Sequence, residues 1–534
     1  MGEMARKIVT GDCETDPFKF GRVPKPFIWC IFDGEIFHLF KTAAEMVTFL
    51  KDKEWIVYFH NGGKFDYFFM LEYLEPFDFI MDINGRLAKF KIGLCEFRDS
   101  YNIIPQPLAA YKKDEFDYTK LEAKVRDKHE REIIQYLKND CLFLYEIVSA
   151  FTEEYGMNLT LAAAAFKYFN REFNSTDNQK TDKIFYDEFA PFYYGGRVEC
   201  FKKGIIPFPV KCFDIKSAYP TAMCLDHPYG DTYDILDCLP KKGIEQCFIE
   251  LDCVSAGGLP YREKGSSLAF PNDEIKRRYK VTGWEYLAAK ECNAIFDVEI
   301  ISVYRFHQTI NFKDYIKHFY KMKEKAKKET PEYVISKLFL NSLYGKYAAN
   351  PSRYCETYIC PMDYIKMSCE ALDMEYAGTL GKWAVLESPL PEEKQNYYNV
   401  ATAASITGWV RAYLFKSMRK CKGVVYCDTD SIFCKSADLN FDGKLGSWDL
   451  EGEFKAGGGI GGKKLYAFEY LEPIKDKKTG KILKTHKQAS KGARLSAREI
   501  LRVCQGEIIK YKAIAPTFSL KRDIIFLERE IRMT

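Results

Sequence analysis

The segment VVYCDTDSIF, residues 424–433, places two acids between apolar residues that favour strands. Residues two apart on a strand project from the same face of a sheet, so Asp428 and Asp430 are predicted to lie side by side. Burying two negative charges among apolar neighbours is unfavourable unless something compensates them. The fold must therefore bring something positive to this strand.

The same pattern occurs near the N-terminus, where IVTGDCETD carries Asp12 and Glu14 two apart after a β-type run. Four other apolar segments contain polar residues that share one helix face or follow a strand. They are YFHNGGKFDYFF with Asn61, Phe65 and Asp66, YLKND with Tyr136 and Asp140, FDIKSAYPTAM with Asp214, and KLFLNSLYGK with Lys337, Asn341 and Tyr344. A single buried acid is more often capped or ion-paired than catalytic, but seven acids in such settings indicate a function.

Carboxylates that face each other at strand ends repel unless divalent cations lie between them, and Mg²⁺ is bound by one or two carboxylates together with substrate phosphates. Two such ions about 4 Å apart can stabilise the entering and leaving oxygens of an in-line phosphoryl displacement. The acids fall into two sets along the chain. The N-terminal set is Asp12, Glu14, Asp66 and Asp140, and the later set is Asp214, Asp428 and Asp430.

The 534 residues, 47% apolar and 16% aromatic, suffice for roughly three to four packed domains. The absence of a long apolar run and of a signal-peptide pattern predicts a cytosolic protein without a membrane span. The 18 cysteines include no CxxC pair and are predicted to be buried, reduced thiols.

The 79 basic and 75 acidic residues nearly balance, but their distribution is uneven. Between residues 463 and 522, here called the basic band, sixteen Lys or Arg side chains stand against five acids. A charge run is usually a solvated face, so the basic band alone leaves nucleic-acid binding open.

Hydrophobic periodicity predicts regular structure along most of the chain. Residues 1 to about 150 alternate short apolar runs with helical patterns, as in an α/β unit. Paired glycines in FYYGGR, residues 192–197, allow a turn with close backbone approach just after a domain boundary. The later segments are predicted as an insertion of short β-type runs (225–310), helices at 311–329 and after Pro331, a loop-rich irregular segment (351–400), a helix at AASITGWVRAYLF and a strand at GVVYCDTDSIFC.

Seven motifs occur in collinear order: D-x-E, N-x-x-x-F-D, Y-x-x-x-D, Y-x-G-G, D-x-x-S-x-Y-P, K-x-x-x-N-S-x-Y-G and Y-x-D-T-D-S. Each is weak alone, whereas the ordered set is specific. The set resembles family B DNA polymerases that carry a 3′-5′ proofreading exonuclease. The short fingers, the compact size and two insertions are similar to the protein-primed subgroup of small linear-genome phages, the Bacillus-phage-type replicative polymerases.

This resemblance implies a multidomain α/β and α+β fold. An N-terminal RNase H-like 3′-5′ exonuclease domain would be followed by a right-hand polymerase of palm, fingers and thumb with two insertions. The implied domains are the exonuclease (1–175), palm (176–224), insertion 1 (225–310), fingers (311–350), insertion 2 for strand displacement and processivity (351–400), palm (401–492) and thumb (493–534).

For the exonuclease, the resemblance implies that Asp12, Glu14, Asp66 and Asp140 are metal ligands. Tyr136 matches the residue that orients the attacking water, and Lys113 matches the lysine near the scissile phosphate. The residues that match single-strand ligands are His60, Asn61, Phe65 and Ser100. From this sequence alone Phe65 could equally be a core residue, although the adjoining Asn-Gly-Gly loop favours exposure.

For the polymerase, the resemblance implies that Asp214 and Asp430 are direct metal ligands, with Asp428 a catalytic acid beside them. The implied nucleotide-binding residues are Tyr219, Lys337, Asn341, Tyr344 and Lys325, of which Tyr219 resembles the gate against a ribose 2′-OH. The implied DNA-binding residues are Tyr193, Gly195, Gly196, Thr407, Arg411, Lys464 and Tyr466.

The resemblance also implies two Mg²⁺ ions per active site, for which Mn²⁺ can substitute. The implied partners are primer-template DNA, deoxynucleoside triphosphates and a terminal protein primer, with no membrane, for a monomer in the host cytoplasm. Two alternatives stay open: a nucleic-acid-primed polymerase of the same family, and an inactive DNA-binding scaffold of the same fold.

The sequence departs from the family pattern at several points. Ala218 stands where leucine is usual, which leaves the stringency of the Tyr219 gate in doubt. Either Lys323 or Lys325 could be the second triphosphate lysine. The NGGKFD loop is one residue longer than in close phage relatives, and the insertion before Thr407 is long.

Overall fold

A computed structural model describes residues 6–112, 115–174, 180–476 and 479–534. This part of the chain is a mixed α/β and α+β structure, as predicted. A ten-stranded and a nine-stranded sheet carry the two sets of acids, and residues 227–310 form a separate four-stranded sheet. Within the described ranges, no helix is both long and apolar enough to cross a membrane.

The first unit, residues 6–174, contains seven strands and three helices. They are β1 (Ile8–Thr15), β2 (Pro26–Phe32), β3 (Phe37–Phe40), α1 (Ala43–Leu50), β4 (Ile56–Phe59), β5 (Phe79–Asp82), β6 (Leu87–Ile92), β7 (Cys95–Asp99), α2 (Glu130–Tyr155) and α3 (Leu161–Glu172). β1 pairs antiparallel with β2 and parallel with β4, so it is an interior strand. Leu137 and Cys141 of α2 pack against β2, and Thr10 of β1 donates a hydrogen bond to the Cys141 carbonyl. The helix therefore lies beside the acids of β1.

The next segment leads into the second large sheet. Its elements are α4 (Lys183–Phe189), β8 (Val198–Cys200), β9 (Gly204–Ile206), β10 (Val210–Ile215) and α5 (Ala218–Met223). Ser217, the N-cap of α5, has a left-handed backbone with φ 56°, so the chain turns sharply between Asp214 and the helix.

Residues 227–310 form an antiparallel sheet of their own. Its elements are β11 (His227–Leu236), β12 (Cys247–Ala256), β13 (Asn272–Thr282), α6 (Gly283–Glu291) and β14 (Ile295–Ile310), with strand order β11-β14-β12-β13. The prediction of short β-type runs was wrong, because these strands have ten to sixteen residues. Gly230 lies at a register shift between β11 and β14 and does not end the strand.

Two helices follow, α7 (Lys313–Lys325) and α8 (Pro331–Tyr347), and both were predicted. Pro331 occupies the first turn of α8, where its missing N–H leaves no helical hydrogen bond unmade. Thr330 caps the helix by accepting a hydrogen bond from the Tyr333 N–H.

The prediction that residues 351–400 are loop-rich and irregular was wrong. They contain β15 (Cys355–Pro361), α9 (Ile365–Leu372), β16 (Glu375–Leu380) and β17 (Trp383–Pro389). β15 pairs with β5, which extends the first unit's sheet to the order β16-β17-β15-β5-β6-β7-β4-β1-β2-β3. Ile359, Leu380 and Trp383 are buried in the same core as β1 and β4.

The second large sheet is completed by elements from the C-terminal part. They are α10 (Val400–Met418), β18 (Cys421–Lys422), β19 (Tyr426–Asp428), β20 (Ser431–Cys434), β21 (Ser436–Ala437), β22 (Trp448–Phe454), β23 (Gly458–Gly462), β24 (Leu465–Lys475) and β25 (Ile482–Ser490). The strand order is β8-β19-β20-β10-β22-β24-β23-β9, with β25 paired to β24. α10 is almost wholly buried.

The chain ends in α11 (Ala497–Cys504), β26 (Ile509–Lys512), β27 (Thr517–Ser519), β28 (Asp523–Ile525) and β29 (Glu528–Ile531). The β27–β28 hairpin returns to the first unit, because Phe518 is buried in that unit's core. All 18 cysteines are free thiols, and most are buried, as predicted.

Candidate active sites

Three acids of the first unit converge. Asp12 and Glu14 project from the same face of β1, and Asp140 reaches them from α2. One carboxylate oxygen of each lies within 4.8 Å of the others, and no other group of three potential metal ligands was found among the described residues. The local sequence explains this placement, because β1 is continuous through both acids and α2 is anchored beside them.

Burial and repulsion between neighbouring acids disfavour the charged forms of Asp12 and Glu14. Burial, followed by the charges of Asp66, Asp140 and Glu14, holds the pKa of Asp12 well above its usual value. Burial, with Asp140 and Asp66, raises the pKa of Glu14 to about 8. Charges crowded in this way favour the binding of a compensating cation.

Asp66 stands beside this trio and has a different partner. Its carboxylate accepts a hydrogen bond from the Cys13 thiol, with Oδ1 3.1 Å from Sγ. Burial raises the pKa of Asp66 to about 7, although the thiol hydrogen bond acts in the opposite direction. Cys13 lies between Asp12 and Glu14 in sequence, and no feature of the motif pointed to its contact with Asp66.

An aromatic group lies at the edge of these acids. Tyr136 is one helical turn from Asp140 on α2, and its hydroxyl is 3.1 Å from that of Tyr118. The ring of Phe116 stacks on Tyr136 at 4.5 Å. Lys113 lies outside the described residues.

The predicted single-strand ligands have varied surroundings. His60 bonds Ser100 through Nδ1 and the Gln106 carbonyl through Nε2, and Ser100 is fully buried. Asn61 has a left-handed backbone and accepts a hydrogen bond from Arg86. A direct DNA contact by Ser100 is therefore inconsistent with its burial, and both ring nitrogens of His60 are already engaged within the fold.

Phe65 is half-buried, so it is neither a fully buried core residue nor a fully exposed ligand, the two alternatives left by the sequence. Its ring meets those of Phe18, Phe69 and Phe518 edge to face, at centroid distances of 5.3 to 5.7 Å.

The second set of acids corrects the opening prediction. The segment 424–433 is not one strand, because Thr429 has a left-handed backbone with φ 58° and ends β19. Asp428 pairs with Ser431 across a tight hairpin, and the Asp430 N–H donates to the Asp428 carbonyl at 2.6 Å. The two acids therefore lie on either side of a turn and do not share one strand face.

Asp428 has its own positive partner. Lys464 Nζ is 3.3 Å from its Oδ2, and the Tyr426 hydroxyl donates to the same oxygen. Lys464 belongs to the predicted primer-strand motif together with Tyr466, whose half-buried ring packs against Tyr426 and Phe433. The positive group that the sequence required at Asp428 is a lysine of the same chain.

Asp214 and Asp430 form the other part of this site. The Ile215 N–H donates to the Asp430 carbonyl, which holds the hairpin turn beside the end of β10. Burial, then Asp430 and Glu451, raises the pKa of Asp214 to about 7. Burial likewise raises the pKa of Asp430, with Asp428 and Glu451 adding to it.

Glu451 was missed by the sequence analysis. It lies on β22, next to β10, and forms an ion pair with Lys487 of β25. Asp449, two residues earlier, pairs in register with Asp214. The signal was present, because D-L-E at 449–451 repeats the D-x-E spacing of Asp12 and Glu14.

The YYGGR segment supports the hairpin turn. The Arg197 carbonyl accepts from the Thr429 N–H at 2.7 Å. A Cβ added to Gly196 would stand 2.5 Å from the Thr429 hydroxyl, whereas one on Gly195 meets no atom within 4 Å. The close approach predicted for the two glycines therefore belongs to Gly196 alone. Tyr193, just before them, is half-buried between two core clusters.

Thr407 and Arg411 do not fit their predicted DNA contact. Both side chains are buried on α10, with Arg411 only 2% exposed. Arg411 pairs with buried Glu285 at 2.6 Å and donates to the carbonyls of Tyr194 and Gly195. Arg411 therefore holds the backbone of the YYGGR segment at Tyr194 and Gly195.

The predicted nucleotide-binding residues lie on three helices, α5, α7 and α8. The ring of Tyr219 on α5 stacks on that of Tyr344 on α8 at 4.6 Å, with 11° between the planes. Lys337 and Asn341, one turn apart on α8, are both exposed. Lys325 is exposed at the end of α7, and Lys323 lies near the Tyr320 ring, so the choice between these lysines stays open.

Comparison with known proteins matches this arrangement. The model of the family "DNA polymerase type B, organellar and viral" matches residues 108–422. The DNA-directed DNA polymerase of Enterobacteria phage PRD1 is 34% identical over 569 aligned residues, covering 99% of this chain and 98% of that protein. The DNA polymerase of Bacillus phage phi29 is 25% identical over 536 residues, covering 85% of each.

The solved structure of phi29 DNA polymerase with primer-template DNA superposes with a TM-score of 0.76 at 19% identity, covering 99% of this chain and 100% of that one. The fold and its two acidic centres define a DNA-directed DNA polymerase. The chain belongs to the type B DNA polymerases of organelles and viruses.

Polymerases of this family use divalent metal ions, and the residues present fit them. Three oxygens of Asp12, Glu14 and Asp140 lie within 4.8 Å, and carboxylates are the ligands that Mg²⁺ prefers. Burial and neighbouring acids raise the pKa values of Glu14 and Asp214, and a bound divalent cation would favour their charged forms.

Proposed function

We propose that this polymerase replicates a linear phage-type genome from a protein primer and proofreads its product with a 3′-5′ exonuclease. The observation that carries the proposal is the presence of two acidic centres on two separate sheets. One is formed by acids of β1 and α2, and the other by Asp214, Asp430 and Glu451 around β10 and the hairpin turn.

In the proposed exonuclease, Asp12, Glu14, Asp66 and Asp140 would hold two Mg²⁺ ions. The bound ions would lower the pKa of a water molecule and stabilise charge on the departing oxygen. Tyr136 orients that water through its hydroxyl, supported by the Tyr118 hydroxyl 3.1 Å away. The buried side of the cluster keeps bulk solvent from the acids.

In the proposed polymerase centre, Asp214 and Asp430 hold the pair of ions, for which Mn²⁺ can substitute. Their chemistry is to bring the primer 3′-hydroxyl and the α-phosphate together and to neutralise the triphosphate. Lys337 binds the triphosphate as a point charge. The stacked rings of Tyr219 and Tyr344 form a wall of the sugar pocket. Asp428 is the catalytic acid beside the two metal ligands, and its ion-pair partner Lys464 contacts the primer strand together with Tyr466.

The proposed division of the chain follows the sequence boundaries. The exonuclease is 1–175, the palm 176–224 and 401–492, the fingers 311–350 and the thumb 493–534. Insertion 1 (225–310) and insertion 2 (351–400) flank the fingers, and insertion 2 separates template from non-template strand. Its attachment to the first unit's sheet supports this assignment, because a firmly held element can resist an incoming duplex.

The test is primer extension with Mg²⁺ on a long single-stranded circle, with and without a strand to be displaced. Full-length products in both cases are expected, together with degradation of a single-stranded oligonucleotide when nucleotides are withheld. No extension would contradict the polymerase assignment and favour an inactive scaffold.

Protein priming requires a separate assay. Each candidate terminal protein is incubated with labelled dATP and no DNA primer, and a labelled protein band is expected with its cognate partner. Extension of DNA primers without labelling of any candidate would favour the nucleic-acid-primed alternative.

A further inference from the structure

The loop between β1 and β2 has an alternation of aromatic and basic residues that the activity above does not use. Its sequence PFKFGR places Phe18, Lys19, Phe20 and Arg22 within six residues. The side chains of Phe18 and Phe20 are 44% and 55% exposed. Exposed aromatic rings beside basic side chains are typical of proteins that bind single-stranded nucleic acid.

This loop is anchored to the acid-bearing strand. Asp16, the first residue after β1, is buried, accepts a hydrogen bond from the Lys25 N–H and pairs with Arg22. Lys19 pairs with Glu122 at 2.7 Å, which ties the tip of the loop to the segment before α2. The loop therefore holds its aromatic side chains at a fixed place near the first acidic centre.

The two rings have different neighbours. Phe18 meets the Phe65 ring edge to face at 5.7 Å, whereas Phe20 lies 5.5 Å from the Lys512 ammonium of β26. Phe65 is half-buried among the rings of Phe18, Phe69 and Phe518, whereas Phe18 is 44% exposed. A base arriving from solvent could therefore stack on Phe18.

We propose that Phe18 is a stacking surface for a base of the single-stranded 3′ end that enters the exonuclease centre. The proposal rests on the exonuclease function above. The two side chains of the Lys19–Glu122 pair are 49% and 38% exposed, and such a pair is weak enough to exchange its carboxylate for a DNA phosphate. Arg22 instead stays paired with buried Asp16 and holds the loop in place. Phe20, turned toward Lys512, has no such role.

The test compares Phe18→Ala with Phe20→Ala, which removes an equally large and more exposed ring from the same loop. Binding of a fluorescent oligothymidylate is measured by anisotropy with EDTA present, so that no degradation occurs. Phe18→Ala is expected to weaken binding about tenfold, as loss of one base-aromatic stack does. Phe20→Ala should bind like the parent, and Phe18→Tyr should restore binding.

A second readout separates stacking from chemistry. Hydrolysis of the p-nitrophenyl ester of thymidine 5′-phosphate, which offers no second base, should be equal in all variants, while degradation of the oligothymidylate slows in Phe18→Ala only. Equal binding by Phe18→Ala and Phe20→Ala would overturn the inference. A parent enzyme that binds the oligonucleotide but never degrades it would overturn the exonuclease function, and the binding comparison would still decide the role of Phe18.

Discussion

The contact between Gly196 and Thr429 gives a sharp test at the scale of single residues. Gly196→Ala places a methyl group 2.5 Å from the Thr429 hydroxyl, so the hairpin turn that carries Asp430 must shift. A displacement of about 1 Å in a reacting geometry can cost about 10²-fold in rate, and nucleotide addition is expected to fall by this amount. Steady-state primer extension measures it.

The matched control is Gly195→Ala, because a Cβ there meets no atom within 4 Å. It should extend primers like the parent, and both variants should still degrade single strands. Equal extension by the two variants would mean that the turn tolerates the methyl group.

Asp430→Ala tests whether the two acidic centres work independently. Loss of a direct metal ligand is expected to reduce nucleotide addition by about 10³-fold or more. Single-strand degradation should persist, because the acids of β1 and α2 are intact. Extension within about tenfold of the parent rate would contradict the assignment. The converse pair, Asp12→Ala with Glu14→Ala, should lose degradation and keep extension.

The residues that the sequence misplaced were misplaced for two physical reasons, a partner far away in the chain and a local left-handed turn. Arg411 reads as a surface cation, yet Glu285 of another element buries and neutralises it. Asp428 and Asp430 read as neighbours on one strand, but a left-handed Thr429 separates them. Asp12 and Glu14 lie on one strand and Asp140 on one helix, so the grouping of these three acids was predictable.

At the scale of elements, His227 joins β11 to two helices. Its Nδ1 bonds Ser405 of α10 and its Nε2 bonds the Ala222 carbonyl of α5, and burial lowers its pKa to about 4. The folded state therefore binds fewer protons than the unfolded state between pH 4 and 6.5, so its contribution to stability is lost as pH falls through this range. The loss amounts to about 2 kcal/mol between pH 7 and 5.

The measurement is urea unfolding of the parent and His227→Gln at both pH values. The variant is expected to be less stable at pH 7, and the difference should shrink by that amount at pH 5. His307→Gln, which removes a half-exposed histidine from β14, is the matched control for loss of an imidazole. A constant difference between parent and His227→Gln would show that His227 does not stay neutral in the folded state.

The C-terminal hairpin β27–β28 closes against both the first unit and β16–β17. Lys521 pairs with Asp82 and Glu387, and the Gly381 N–H donates to Asp523. Lys521→Glu would place a third carboxylate beside Asp82 and Glu387, and their repulsion should weaken the contact between the β27–β28 hairpin and the first unit. The length of the product made in one binding event, measured with excess trap DNA, should decrease. The rate of single-nucleotide addition should stay near normal. Lys510→Glu, on exposed β26, is the control, and equally short products from it would point to a general charge effect.

Segment 351–400, which contains β15, β16 and β17, shows a limit of prediction from sequence. The segment 351–400 reads as loop because it is polar and interrupted, although its strands pair with one another and β15 also pairs with β5, nearly 300 residues earlier. Helices α2, α7, α8 and α10 were predicted because helical periodicity is local. Strand pairing across the chain leaves no such local signal.

At the scale of the whole molecule, the uneven charge of the chain suggests how it holds DNA. The acidic centres must attract cations, whereas the basic band lies on strands and turns after them. Phosphate contacts carry no base information, and each releases counterions, so the affinity for duplex should fall with salt. The exposed lysines Lys475, Lys481 and Lys484 on the β24–β25 hairpin are described within the basic band, whereas Lys477 and Lys478 lie outside the described residues.

If this hairpin grips the duplex, replacing Lys475, Lys481 and Lys484 together with Gln should weaken binding equally for unrelated sequences. The slope of log affinity against log salt should flatten by up to about 3, since each phosphate contact contributes about 0.9. A matched triple replacement of Lys41, Lys51 and Lys91, exposed on the first unit, removes the same net charge far along the chain from the basic band. Equal slopes for the two triple variants would mean that only net charge matters. A flatter slope for the hairpin variant alone would place duplex DNA against β24 and β25, beside the Lys464 that compensates Asp428.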